Sequence, residues 1–141
     1  MARETVAACV AETGLKTRDG AEVSLLLTDD AEVTALNARW RGQDKPTNVL
    51  SFPSAPADRL LDSATLGDVA LAFETLKREA EAWGVPLQDH YRHLVTHGFL
   101  HLIGYDHETD DEAERMEALE TRILAGLGVS DPYRAREAAH G

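Results

Sequence analysis

HGFLHLIGYDH, residues 97–107, closes the longer run DHYRHLVTHGFLHLIGYDH at 89–107, and its reading decides the fold. Five of the chain's six histidines fall inside that run, at 90, 93, 97, 101 and 107. Residues four apart on a helix stand one turn above another, so His97 and His101 present two imidazoles to one ion. His93 shares their face but lies about 12 Å from His101 along the axis at about 1.5 Å per residue, too far to join them. A third ligand has to come from elsewhere. Gly104 provides for it, because glycine accepts positive φ at a helix end and can fold the chain back, returning His107 toward the pair. A single helical histidine is most often packed or solvated. The spacing His-x3-His-x5-His with a reversal between its members points to a metal centre.

Three neutral imidazoles leave a divalent ion one open position, the arrangement of catalytic zinc, which lowers the pKa of bound water toward about 7. One zinc ion held by His97, His101 and His107, with water fourth, is the expected centre. Position 98 is glycine, so the His-Glu-x-x-His peptidase motif lacks its usual base. His90 and His93 read as partly buried or outer groups. Asp106 is a candidate to orient a ligating imidazole, although a solvated acidic loop explains it equally well.

Outward from this run, Leu87 to Ile103 forms the longest helical pattern, with apolar residues around much of its circumference, as in a core helix. Before it, Thr75 to Trp83 reads as a charged helix stopped by Gly84, and Leu66 to Phe73 as a buried strand. Residues 53–65 read as a loop. Val49 to Phe52 is a short strand between Pro46 and Pro53, which suits a sheet edge. A helix from about Ala31 to Trp40 should bury Val33, Leu36 and Trp40 and end near Gly42. Glu22 to Thr28 reads as a strand after the Asp19-Gly20 turn, and Glu4 to Thr13 as a short amphipathic helix. After the histidines, Glu112 to Leu127 repeats Met116, Leu119, Ile123 and Leu124 at helical spacing. Residues 1–128 then make one domain and 129–141 a mobile tail. Strands and helices mix without βαβ alternation, which favours an α+β fold.

The chain has 141 residues and 43% hydrophobic content, the size of one domain with one core. Its one cysteine, Cys9, excludes an internal disulfide and a cysteine zinc cage. No apolar run approaches the roughly 20 residues of a membrane span, and the N-terminus lacks a signal-peptide apolar block, so a cytoplasmic location without membrane association is expected. A formal charge of −11 disfavours general adhesion to nucleic acid, so any RNA contact is local. Acidic residues crowd positions 106–120, whereas Arg39, Arg41 and Lys45 gather apart from them and leave room for a basic rim.

The 97–107 run closely resembles the signature of the YbeY family of metal-dependent endoribonucleases of ribosomal RNA maturation. Two other segments agree in order: Leu36-Asn37 through Trp40-Arg41-Gly42 with Asp44 to Pro53, and Gly67-Asp68-Val69-Ala70. The resemblance runs from about Glu22 to Leu127. It implies a zincin-like α+β domain with a small mixed β-sheet packed against several helices, zinc at the three histidines, and a functional arginine at Arg41. Thr96 departs from the family, which more often has an apolar residue there.

Phosphodiester cleavage builds negative charge around phosphorus, and a guanidinium can hold two phosphate oxygens in a planar fork. Arg41 is therefore the catalytic candidate beside His97, and Arg41, Lys45, Asn48 and Ser51 are the candidate substrate contacts. Trp40 could stack a base, but core packing is the stronger reading. The expected function is a zinc-dependent, single-strand-specific endoribonuclease in ribosomal RNA maturation and ribosome quality control. Its expected partners are ribosomal RNA and small-subunit components, with no DNA. Two alternatives stand beside it: a ribosome assembly factor with a non-catalytic metal, and a metal-dependent hydrolase of peptides or small molecules.

Overall fold

The computed structural model describes residues 2–16, 20–42, 47–54, 64–105 and 108–134. In chain order these form α1 (Ala2–Thr13), β1 (Glu22–Thr28), α2 (Asp30–Arg41), β2 (Val49–Pro53), β3 (Thr65–Ala72), α3 (Phe73–Trp83), α4 (Leu87–Leu102) and α5 (Asp110–Gly126). The architecture is α+β, with a small mixed sheet among helices, as the sequence led us to expect. The sheet has three strands in the order β1-β3-β2; β1 runs parallel to β3, and β2 antiparallel to it. Val49 and its neighbours thus occupy an edge, the place that the flanking prolines favour.

Central β3 is apolar because both of its faces are covered. Val69 and Leu71 join Leu94, Val95 and Leu102 of α4, whereas Ala70 and Ala72 face Val33 beside Leu50. At its start the register with β1 slips, Glu22 opposing Thr65 while Val23 opposes Gly67. The extra residue is Leu66, which packs with Phe99, Leu100 and Met116 on the α4 side. The strand therefore begins and ends one residue before the expected Leu66–Phe73. Phe73 opens α3 instead and is exposed.

Two helix starts are built by side chains. Asp29 accepts a hydrogen bond from the Glu32 amide at 2.7 Å and caps α2. Thr109 accepts one from the Glu112 amide at 3.2 Å while its hydroxyl donates to the Glu112 carboxylate at 3.0 Å. This cap starts α5 at Asp110, two residues before the expected Glu112, and sets Asp110, Asp111 and Glu112 in the first turn. Negative charge there complements the positive end of the helix dipole, so part of the acidic cluster serves the helix itself.

Trp40 corrects an expectation. Its ring is 62% exposed, with the Arg39 guanidinium carbon 5.1 Å from the ring centroid. Val33 and Asn37 are buried on the inward stripe of α2, but Trp40 lies one turn further on and stays largely exposed. Residues 129–134, assigned to the tail from sequence, are anchored: Val129 is buried, and the Tyr133 hydroxyl donates to Glu120. No helix among the described residues is long and apolar enough to cross a membrane.

Candidate metal centre

α4 crosses the middle of the molecule and packs against α1, α3, α5, β2 and β3. Its close approach to the sheet depends on Gly98. A Cβ there would stand 2.7 Å from Val69 Cγ1, 3.1 Å from Val49 Cγ2 and 3.3 Å from Ser51 Oγ. The position that carries the peptidase glutamate thus faces the sheet and has no room for one. The two histidines flanking this buried contact turn to another side of the helix.

The His97 and His101 rings lie 4.6 Å apart between centroids, and their Nε2 atoms 3.1 Å apart. The far nitrogen of each ring is engaged. His97 Nδ1 is 2.5 Å from Glu120 Oε1, and His101 Nδ1 is 3.0 Å from the Tyr105 carbonyl oxygen. A carbonyl only accepts and an ionised carboxylate only accepts, so each neutral ring carries its proton on Nδ1. With both rings neutral neither Nε2 has a proton, so a pair this close calls for a shared cation, either a proton or a metal ion. Two imidazoles on one tetrahedral zinc at about 2.0–2.1 Å hold their nitrogens roughly 3.3 Å apart, so the pair fits a divalent ion.

The chain reversal serves the same ring. Gly104 takes φ of +107°, the Tyr105 amide donates to Leu100 at 3.0 Å, and the Tyr105 carbonyl is thereby set beside His101. His107, the expected third ligand, lies outside the described residues, as do Asp106 and Lys45. Among the described residues no group of three His, Cys, Asp or Glu side chains could by itself hold a metal.

Glu120 was missed from the sequence. It has no exposed surface, yet it is a carboxylate in contact with His97, with His93 Nε2 at 3.6 Å, and with the Tyr133 hydroxyl. Burial opposes its ionisation, but the neighbouring His93 and His97 outweigh that and bring the carboxyl down to about 2. The signal was present in α5: Glu120 falls on the stripe of Met116, Leu119, Ile123 and Leu124, where a charge needs a partner. His93 is largely buried beside this carboxylate. His90 is buried further back, 2.9 Å from Glu79 and edge-on to Trp83.

Arg41 is the last residue of α2. The Asn48 amide donates to Glu79 at 3.0 Å, which joins β2 to the His90 pair. The Ser51 hydroxyl is buried and donates to the Gly98 carbonyl at 2.8 Å. This bond fastens the edge strand to α4. Thr96 is likewise buried, and its hydroxyl has no hydrogen-bond partner among the described residues.

The family model described as Endoribonuclease YbeY matches residues 1–128. An endoribonuclease YbeY of Sinorhizobium medicae is 60% identical over 116 residues, 82% of this chain and 69% of that protein. One from Rhodopseudomonas palustris is 55% identical over 137 residues, 95% of this chain and 79% of that protein. In three dimensions the chain is similar to the solution structure of TM1509 from Thermotoga maritima, with a TM-score of 0.55 and 25% identity, covering 93% of this chain and 87% of the other.

Proposed function

This chain belongs to the YbeY endoribonuclease family, and on that premise we propose that it cleaves single-stranded RNA in ribosomal RNA maturation with zinc held by His97, His101 and His107. The observation that carries the metal reading is the pair of Nε2 atoms 3.1 Å apart, each on a ring whose other nitrogen is committed. His107 is our third ligand on the strength of its spacing and the turn at Gly104. When bound, a divalent ion supplies Lewis acidity toward a phosphodiester and its attacking water.

The chain's own residues do the rest. Glu120 and the Tyr105 carbonyl hold the two helical imidazoles, so little reorganisation remains at the moment of reaction. Arg41 is the cation we assign to the phosphate, where a bidentate fork suits charge that grows on two oxygens. Lys45 extends that positive rim. β2, as an edge strand, offers main-chain groups along which an RNA strand can lie. Ribosomal small-subunit components are the partners we expect around the substrate, and the cytoplasm is the compartment where they meet.

The test is metal content measured together with cleavage of a labelled single-stranded RNA. His97→Ala is expected to lose both metal and cleavage. Arg41→Glu should keep its metal and lose cleavage by about 100-fold or more, the scale of removing one transition-state contact. Full cleavage by His97→Ala, or cleavage insensitive to a chelator, rejects the metal mechanism. A folded His101→Ala variant that still restores RNA maturation in cells makes the protein an assembly factor instead.

A further inference from the structure

Tyr133 lies beyond residue 128, where the match to the family model ends, yet it reaches the Glu120 carboxylate beside the proposed metal centre. The segment after α5 is fixed at two points. Val129 is 6% exposed, and Asp131 Oδ1 accepts from the Tyr133 amide at 2.9 Å and the Arg134 amide at 3.4 Å. The Tyr133 ring then stands edge-on to His93, with centroids 5.4 Å apart and planes at 80°. Its hydroxyl donates to Glu120 Oε2, while His97 takes Oε1.

We infer that Tyr133 and Glu120 are positioning residues: Tyr133 fixes the carboxylate, and the carboxylate fixes the His97 ring with its proton on Nδ1 and Nε2 toward the metal. The inference rests on the metal reading given above and extends it to a residue beyond the stretch that the family model matches. A carboxylate held at one oxygen only can turn about its terminal torsion, because that torsion has broad wells. Held at both, it presents Oε1 at one angle, and the imidazole that donates to it inherits that angle. His93, 3.6 Å from Oε2, lies too far for a strong hydrogen bond and cannot replace the hydroxyl.

Two variants of the full chain test the chain of contacts. Tyr133→Phe removes only the hydroxyl and keeps the ring against His93; Glu120→Gln removes the charge at nearly constant shape. Zinc affinity is read by competition with a chromophoric chelator. The His97 tautomer is read from its ring nitrogen NMR shifts in metal-free protein. Zinc affinity is expected to fall about 10-fold in Tyr133→Phe and up to about 100-fold in Glu120→Gln, the range typical of groups that orient ligands. The Nδ1–H tautomer should dominate in the parent and become mixed in both variants. Tyr133→Phe with parental zinc affinity and an unmixed tautomer overturns the proposal, since packing alone predicts that result. If the parent binds no zinc, the proposed function fails, and the metal-free tautomers still decide whether Tyr133 and Glu120 orient the ring.

Discussion

Cys9 shows how burial sets the chemistry of one side chain. It has no exposed surface, and burial pushes its thiol from 9.0 up to about 11, against the smaller opposing effect of the Thr96 hydroxyl. The folded value is raised, so the stabilisation is fully present below about pH 9 and is lost as pH rises through about 11. A difference of two pH units corresponds to about 3 kcal/mol. Denaturant unfolding across that window should show the loss, and Cys9→Ala should remove that part of the slope. Residue-scale roles were unevenly legible in the sequence. His97 and His101 could be paired from spacing alone, because helical geometry is fixed by the backbone. Glu120 could not, since its partners His93 and Tyr133 stand 27 residues before and 13 after it, and only tertiary packing brings them together.

At the scale of elements, α4 is held against the sheet by the absence of a side chain. Gly98→Ala brings two effects of opposite sign. Alanine gains about 1 kcal/mol in helix propensity, while overpacking typically costs about 1–3 kcal/mol. Overpacking should win here. The nearest atoms belong to Val69 and Val49, β-branched residues on strands whose χ1 rotamers are stiff. Urea titration is expected to show a net loss of about 1–2 kcal/mol, and a smaller loss when the same change is made in a Val69→Ala background; an unchanged midpoint contradicts the tight seat. Periodicity made most elements readable, and β1 falls on Glu22–Thr28 as expected. It failed at ends. Trp40 lies on the apolar stripe of α2, and a stripe does not tell how far its partner extends. The early start of β3 depends on a bulge opposite β1, a property of two strands together.

Across the whole molecule, a formal charge of −11 sets the terms on which an RNA can approach. Long-range repulsion acts over the screening length, about 30 Å at 0.01 M salt and 10 Å at 0.1 M. Raising salt through that range should therefore leave KM for single-stranded RNA flat or lower it, where a basic nuclease loses affinity through counterion competition. Steady-state cleavage over a potassium chloride series reads this directly. A steep rise in KM would mean that the Arg39, Arg41 and Lys45 region outweighs the remainder of the surface.

The two helical imidazoles ride on α4, the element against which α1, α3, α5 and two strands are packed. Such a helix belongs to the part of a protein that opens last. In a zinc finger the ion is the core, and losing it is unfolding. Here, on the metal reading proposed above, the hydrophobic interior has already organised the two helical ligands, so loading and unloading would exchange an ion on a standing scaffold. Free energy that a finger spends on ordering its chain is left, in this arrangement, for discrimination among ions and for grip on the one that fits.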